Sequence, residues 1–198
     1  MTARRIHRLL FTLRCRLRMV RHGFGWTHPM FYIGNGCDLS GVDGMSVGPD
    51  VGLHRGCWLI VPPCVGSGCG RTFLTVERGS SIGRYSVISA TNSVQIGEFV
   101  LFGPRVTIVD ADHVYCDVSM PILHQGWTEG GSVIIGDNCW IGAGAVIVGT
   151  NGVAIGRNSV IGTNSVVTTD IPSHSVAVGS PARVVKQFDP QTGEWQSI

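Results

Sequence analysis

Aliphatic residues recur along this chain with a period of six. Ile82 and Ile88 are six apart, as are Ile96, Phe102 and Ile108, then Ile135, Ile141 and Ile147, then Ile155, Ile161 and Val167. Glycine follows Ile82, Ile96, Phe102, Ile135, Ile141, Ile155 and Ile161. An α-helix repeats every 3.6 residues and drifts out of phase with such spacing. A hexad with an aliphatic residue and then a small one predicts a short strand and a corner of a β-helix. The aliphatic side chain points inward, and the small residue permits the bend. Three hexads make one triangular coil, and stacked coils align their aliphatics into a continuous core. The expected fold is all-β: a parallel β-helix over residues 31–172, then a C-terminal extension over 173–198 containing a short helix.

The breaks in the period carry as much information as the period. Ile88 to Ile96 and Ile147 to Ile155 are each eight residues, and Ile108 to Ile135 is 27. When positions are grouped in threes from Val76, every break falls between the third strand of one coil and the first of the next. All insertions therefore leave from one corner, and insertions gathered on one side of a solenoid mark its binding side. The long one, residues 109–134, is the first place to look for chemistry. Before Val76, Ile33-Gly34, Val47-Gly48, Val51-Gly52, Leu53 and Leu59 suggest earlier coils without fixing their phase. The glycine-rich stretch from Pro62 to Gly70 lacks the Lys-Ser/Thr ending of a phosphate loop and reads as an irregular corner.

Composition sharpens this picture. Charged residues make up 14% of the chain, against roughly 25% in an average domain, which suits a stack of short strands and turns. The net charge is +2, yet seven of the fifteen Lys+Arg residues, all arginine, lie in the first 21 positions, and no acidic residue precedes Asp38. Within residues 1–22, Ile6, Leu9, Leu10, Leu13, Leu17 and Val20 follow helical spacing on one face. Arg4, Arg5, Arg8, Arg14, Arg16, Arg18 and Arg21 take the flanks and back. Two readings fit this basic amphipathic helix: it packs its stripe on protein, or it lies on an anionic membrane. Nucleic acid is not expected as a partner, because no aromatic platform accompanies the arginines. Seven cysteines without a CxxC pair argue for a reducing, cytoplasmic setting. No apolar run approaches the ~18 residues of a membrane span, and the arginine-rich start does not read as a cleavable signal.

The long insertion holds Asp110, Asp112, His113, Cys116, Asp117 and His124. A histidine near neutral pKa suits deprotonation of an alcohol, and a neighbouring carboxylate can fix its tautomer. His113, Cys116 and His124 match no standard zinc spacing, so no metal is expected. Near the end of the chain, Arg183 and Lys186 sit three apart, close enough on a short helix to hold a phosphate together.

These segments carry a resemblance. The Asp112-His113 loop, Gln125-Gly126, Cys139-Trp140-Ile141-Gly142-Ala143-Gly144, Asp170-Ile171-Pro172 and Gly179-Ser180-Pro181-Ala182-Arg183-Val184-Val185-Lys186 resemble the hexapeptide-repeat acetyltransferases. That group contains the galactoside, maltose and xenobiotic acetyltransferases, and the match is nearest to enzymes acetylating sugars in surface-polysaccharide synthesis. The resemblance implies a left-handed coil, a homotrimer, and acetyl-CoA bound in the groove between neighbouring prisms. It implies O-acetyl transfer to a sugar or glycan hydroxyl, or N-acetyl transfer to an amino sugar, with His113 as general base. Trp140 would wall the site. Ala143 and Thr163 would offer backbone groups to pantetheine, with Thr168 in the same groove. Arg183 and Lys186 would meet the nucleotide phosphates, and a backbone N–H near Gly142 would stabilise the oxyanion. Asp112 belongs to the acceptor side. Ser89 and Asn92 fall near the position of the acceptor-binding asparagine of galactoside-type members. Thr169 stands where the family often has lysine. The alternative from another class is a non-catalytic β-helix scaffold, which would keep the hexads without the base.

Overall fold

The computed structural model describes residues 3–25, 29–61 and 70–198, without the side chains of residues 3–9 and 11. Residues 62–69, most of the glycine-rich corner, and the side chains of Arg4, Arg5, Ile6, Arg8 and Leu9 lie outside the described residues. The rest is a three-faced parallel β-helix capped at one end by a helix, α1 (Ala3–Arg21).

Three parallel stacks of short strands form the faces. Face A stacks Tyr32–Ile33, Gly52–Leu53, Ser81–Ile82, Leu101–Phe102, Trp140–Ile141, Val160–Ile161 and Ser175–Gly179. Face B runs from Asp38–Ser40 through Trp58–Ile60, Val87–Ser89, Thr107–Val109 and Val146–Val148 to Val166–Val167. Face C runs from Met45–Val47 through Leu74–Val76, Ser93–Ile96 and Ser132–Ile135 to Val153–Ile155. The chain visits A, B and C in turn, and identical positions of successive coils pair in register, as Leu101 with Trp140 and Ile108 with Ile147.

This register aligns the hexad aliphatics. Ile33, Leu53, Ile82, Phe102, Ile141, Ile161 and Ala177 stack inward from face A, all buried, as do Leu59, Ile88, Ile108, Ile147 and Val167 from face B. The pairing also phases the early coils: Ile33 pairs with Leu53, Leu53 with Ile82, and Val47 with Val76.

The glycine after each aliphatic has a different cause from the one the bend suggests. A Cβ on Gly83 would lie 2.0 Å from the Gly103 carbonyl oxygen, and one on Gly142 would lie 2.6 Å from the Thr163 nitrogen. Small residues are needed there because the next coil's backbone passes too close. The left-handed corner residues come two positions later, at Tyr85, Arg105, Gly144 and Asn164.

The C-terminal part departs from expectation. The coil continues past Pro172: Ile171 bridges to Ile155, and Ser175–Gly179 adds a further strand to face A. No helix follows. Ala182–Asp189 turns back antiparallel on that strand, and Glu194–Ser197 pairs with it in turn. Val184 and Val185 are β-formers in a run that extends an open edge of face A, and edge pairing prevails over the short helical spacing.

Candidate functional site

All breaks in the repeat lie on the corner between faces B and C, including residues 90–92, 110–131 and 149–152. The longest is a folded antiparallel ribbon. Gly131 N–H donates to Asp110 O at 2.7 Å, Thr128 N–H to Asp112 O at 2.8 Å, and Val114 N–H to Gly126 O at 3.0 Å. Its tip is tied by Gln125, whose Oε1 accepts from Asp117 N–H at 3.0 Å while its Nε2 donates to Asp117 O at 2.8 Å and Met120 O at 3.0 Å. Two hydrogen bonds from Ser119 hold the Asp117 carboxyl below the usual carboxylate range.

The root of the ribbon is fixed by a buried carboxylate. Asp110 is 0% exposed and accepts three backbone N–H bonds from the coil beneath: Thr91 at 2.8 Å, Asn92 at 2.8 Å and Ser93 at 2.7 Å. Asn92 completes the brace. Its Nδ2 donates to Gly131 O at 2.7 Å and its Oδ1 accepts from Arg71 at 2.7 Å. The amide is thus committed to holding the ribbon instead of reaching for an acceptor. Ser89 lies half-buried on face B between Ile60 and Val109, away from the ribbon tip.

His113 pairs across the ribbon with Trp127, and their rings stack with centroids 3.9 Å apart. A cavity of about 480 Å³ opens beside them, lined by Asp112, His113, Tyr115, Glu129, Thr150 and Asn151 among others. Thr150 and Asn151 belong to the next break on the same corner. Trp127, in place of a carboxylate hydrogen bond, orients the imidazole. Trp127 lies 14 residues along the insertion from His113, and ribbon pairing, which only the fold shows, brings it over the imidazole. His124 lies in a short 3-10 turn at the tip, exposed and apart from the cavity lining. Among the described residues no group of three His, Cys, Asp or Glu side chains could hold a metal ion.

The donor-side residues sit elsewhere on the prism. Trp140 projects outward from face A, 53% exposed. Arg183 pairs with Val178 and Lys186 with Val176, and an irregular register between Val176 and Ala177 absorbs one extra residue. Cross-strand partners share a face, so this bulge turns both cations to the same side. Val176 pairs with Val160, and Val160 with Trp140, so that side is the outward surface carrying Trp140. The helix expected here is absent, yet the two charges still stand together. Ala143 and Thr163 occupy successive turns of the corner between faces A and B. The Ala143 carbonyl already accepts from Asn164 N–H at 2.9 Å. Gly142 N–H donates to Ile161 O at 2.7 Å, so this amide belongs to the strand ladder and is withdrawn from any oxyanion. Thr168 is exposed on the B–C corner. One chain therefore brings together His113 and Asp112 on one corner, and Trp140, Arg183 and Lys186 on the opposite face, without joining the two sets.

A sequence profile described as the hexapeptide repeat of succinyl-transferase matches residues 132–169. The chain is a hexapeptide-repeat β-helix. Its coils have the left-handed winding of that fold. A galactoside O-acetyltransferase of Lactococcus lactis is 43% identical over 94 residues, which are 48% of this chain and 43% of that protein. A Mycobacterium tuberculosis protein named as a probable acetyltransferase is 40% identical over 105 residues, 53% of this chain and 34% of that protein. The matched part thus spans well under half of either relative. Among solved structures, a galactoside acetyltransferase in complex with coenzyme A superposes with a TM-score of 0.58 at 26% identity, covering 76% of this chain and 69% of that one.

Proposed function

We propose that this hexapeptide-repeat β-helix transfers an acetyl group from acetyl-CoA to a sugar hydroxyl, in a site completed between copies of the chain. The observation that carries the reading is the cavity on the B–C corner, where the only long insertion among the described residues holds His113 against Trp127. A scaffold has no use for a histidine stacked on an aromatic ring beside a 480 Å³ cavity. The galactoside acetyltransferase bound to coenzyme A, alike in fold and more than a quarter identical, supports the choice of donor.

The acceptor hydroxyl binds beside His113, which takes its proton as the oxygen attacks the thioester carbonyl. The C–S bond breaks, and the CoA thiolate leaves with the proton returned through the imidazole. Asp112 and Glu129 supply polar contacts on the acceptor side. The donor lies along face A of a second copy, against Trp140, with Arg183 and Lys186 on its phosphates. The separation of the two residue sets within one chain supports a homotrimer, since a neighbour's face must meet the ribbon. The free cysteines, exposed Cys116 among them, fit a reducing cytoplasm. A sugar on the route to a surface polysaccharide or glycoconjugate is the acceptor class.

The test is a panel of sugars and amino sugars incubated with acetyl-CoA, with products read by mass spectrometry and CoA release followed in parallel. His113→Ala should keep the fold and lower kcat by roughly 10²–10⁴, the worth of a general base. Acetylation confined to amino groups would transfer the assignment to N-acetylation. Release of CoA unaffected by the substitution would remove His113 from the chemistry.

A further inference from the structure

Helix α1 has two faces, and the prism uses the one that the leucine pattern does not select. Met19 is fully buried and Cys15 is 5% exposed, both against the first coil. Arg18 locks this contact by donating to Ile33 O at 2.8 Å and to the Asn35 side chain. Leu10, Leu13, Leu17 and Val20 remain 48%, 46%, 54% and 43% exposed. At 3.6 residues per turn, the centre of this stripe lies roughly 160° from that of the buried pair. The helix is therefore anchored by a small face while a continuous row of four large aliphatics looks outward.

The charges beside that row name its partner. Arg14 and Arg21 are exposed and fall next to the stripe on the helical wheel, and α1 contains no acidic residue. A shallow cavity of about 290 Å³ near the helix end is lined by Arg18 and Arg21, which place positive charge at the same edge. An apolar row rimmed by arginine matches the acyl boundary and phosphates of an anionic bilayer. A second copy of the same helix would set arginine against arginine. No helix among the described residues is long and apolar enough to cross a membrane, so the geometry is that of a helix lying along the surface.

We propose that the Leu10, Leu13, Leu17 and Val20 face of α1, flanked by Arg14 and Arg21, docks on an anionic phospholipid surface and holds the β-helix against it. The Met19 and Cys15 contact transmits the anchorage to the prism. Acceptors built on lipid carriers would then be brought to the enzyme in two dimensions, but the docking itself does not depend on the acyl-transfer reading.

The experiment is flotation of the full-length protein with vesicles of phosphatidylglycerol and phosphatidylcholine in equal parts, against phosphatidylcholine alone. Circular dichroism and light scattering are run on each variant. The wild type should float with the anionic vesicles at low ionic strength and lose most of that binding at high salt. Arg14→Gln with Arg21→Gln should lower the partition about 25-fold, at about fivefold for each arginine. Leu13→Ser with Leu17→Ser should lower it more than tenfold while the β-helix spectrum is kept. Absence of wild-type flotation at low salt overturns the proposal, as does a folded leucine variant that floats like wild type. Dissociation of the wild-type oligomer by the leucine substitutions, without vesicle binding, would make the row a contact between copies and also overturns it.

Discussion

Replacing Asp110 with alanine should loosen the ribbon that carries His113 without touching the cavity. The carboxylate accepts three backbone N–H bonds of 2.7–2.8 Å from Thr91, Asn92 and Ser93 and is itself fully buried. A buried donor left without its acceptor costs about 1–3 kcal/mol. Thr91 is buried, while Asn92 and Ser93 are half-buried and would recover part of the loss through water. The sum is about 3–5 kcal/mol of stability. At about 2–4 °C per kcal/mol for a chain of this size, Tm should fall by about 6–20 °C. Asp110→Asn retains one acceptor oxygen but turns an NH₂ toward a backbone donor, so it should fall in the same direction. Differential scanning calorimetry reads the first effect. Steady-state kinetics read the second, a fall in kcat because His113 is three residues from the lost anchor. A Tm within 3 °C of wild type, the drop expected for about 1 kcal/mol, would refute the view that this carboxylate holds the root.

Trp127→Leu should lower kcat while leaving Tm nearly unchanged, because the ring is half exposed and its work is to orient the imidazole; His124→Ala, at the tip, should do little to either. Arg183→Ala with Lys186→Ala should raise KM for acetyl-CoA more than KM for the acceptor, and the effect should shrink with a dephospho-CoA thioester. Ile141→Ala, in the middle of the face A ladder, should cost about 2–5 kcal/mol in denaturant unfolding through the cavity it leaves. A hydrogen bond to Cys57, assisted by the backbone of Cys57, Gly56 and Gly34, holds the Cys37 thiol down to about 6, while burial opposes it. Alkylation of Cys37 by iodoacetamide should therefore climb through about pH 6 and plateau below the range where an ordinary thiol ionises. The buried Cys57, pushed far up chiefly by its hydrogen bond to Cys37 and by burial, should stay unmodified until unfolding. Cys57→Ala should move the Cys37 profile upward.

The coil was legible because its signal is redundant. Every apolar residue at a hexad position from Ile82 to Val167 occupies the inward place that its spacing predicts, and each mismatch marks a corner. The ribbon that carries His113 was legible for a related reason, since only one break among the described residues is long enough to build one. What escaped were effects of pairing between distant segments. The three donors that satisfy Asp110 lie 17–19 residues away, and nothing in the local sequence ties them to it. The bracing role of Asn92 escaped for the same reason, since its partner Gly131 is 39 residues distant. The tail was read as a helix because Arg183 and Lys186 have helical spacing. A bulge in an antiparallel strand gives the same alignment by another route.

The helix shows why a correct pattern can yield an open conclusion. Hydrophobic periodicity identifies the face that must leave water, but not what receives it. In α1 the prism takes Met19 and Cys15, two residues that the leucine row passes over, and Arg18 clamps them. Had the row packed on the coil, Arg14 and Arg21 would have stood on its solvent side and the helix would be a simple cap. With the row outward, apolar surface stays in water on an otherwise well-packed protein, the kind of patch that interaction sites commonly carry. The same logic governs the site. The ribbon presents His113 beside an open cavity, while Trp140 and the paired cations stand on another face. On the two proposals made above, both features are halves of interfaces, one to be completed by lipid and the other by a neighbouring prism, and both are built at places where the repeat is interrupted or ends.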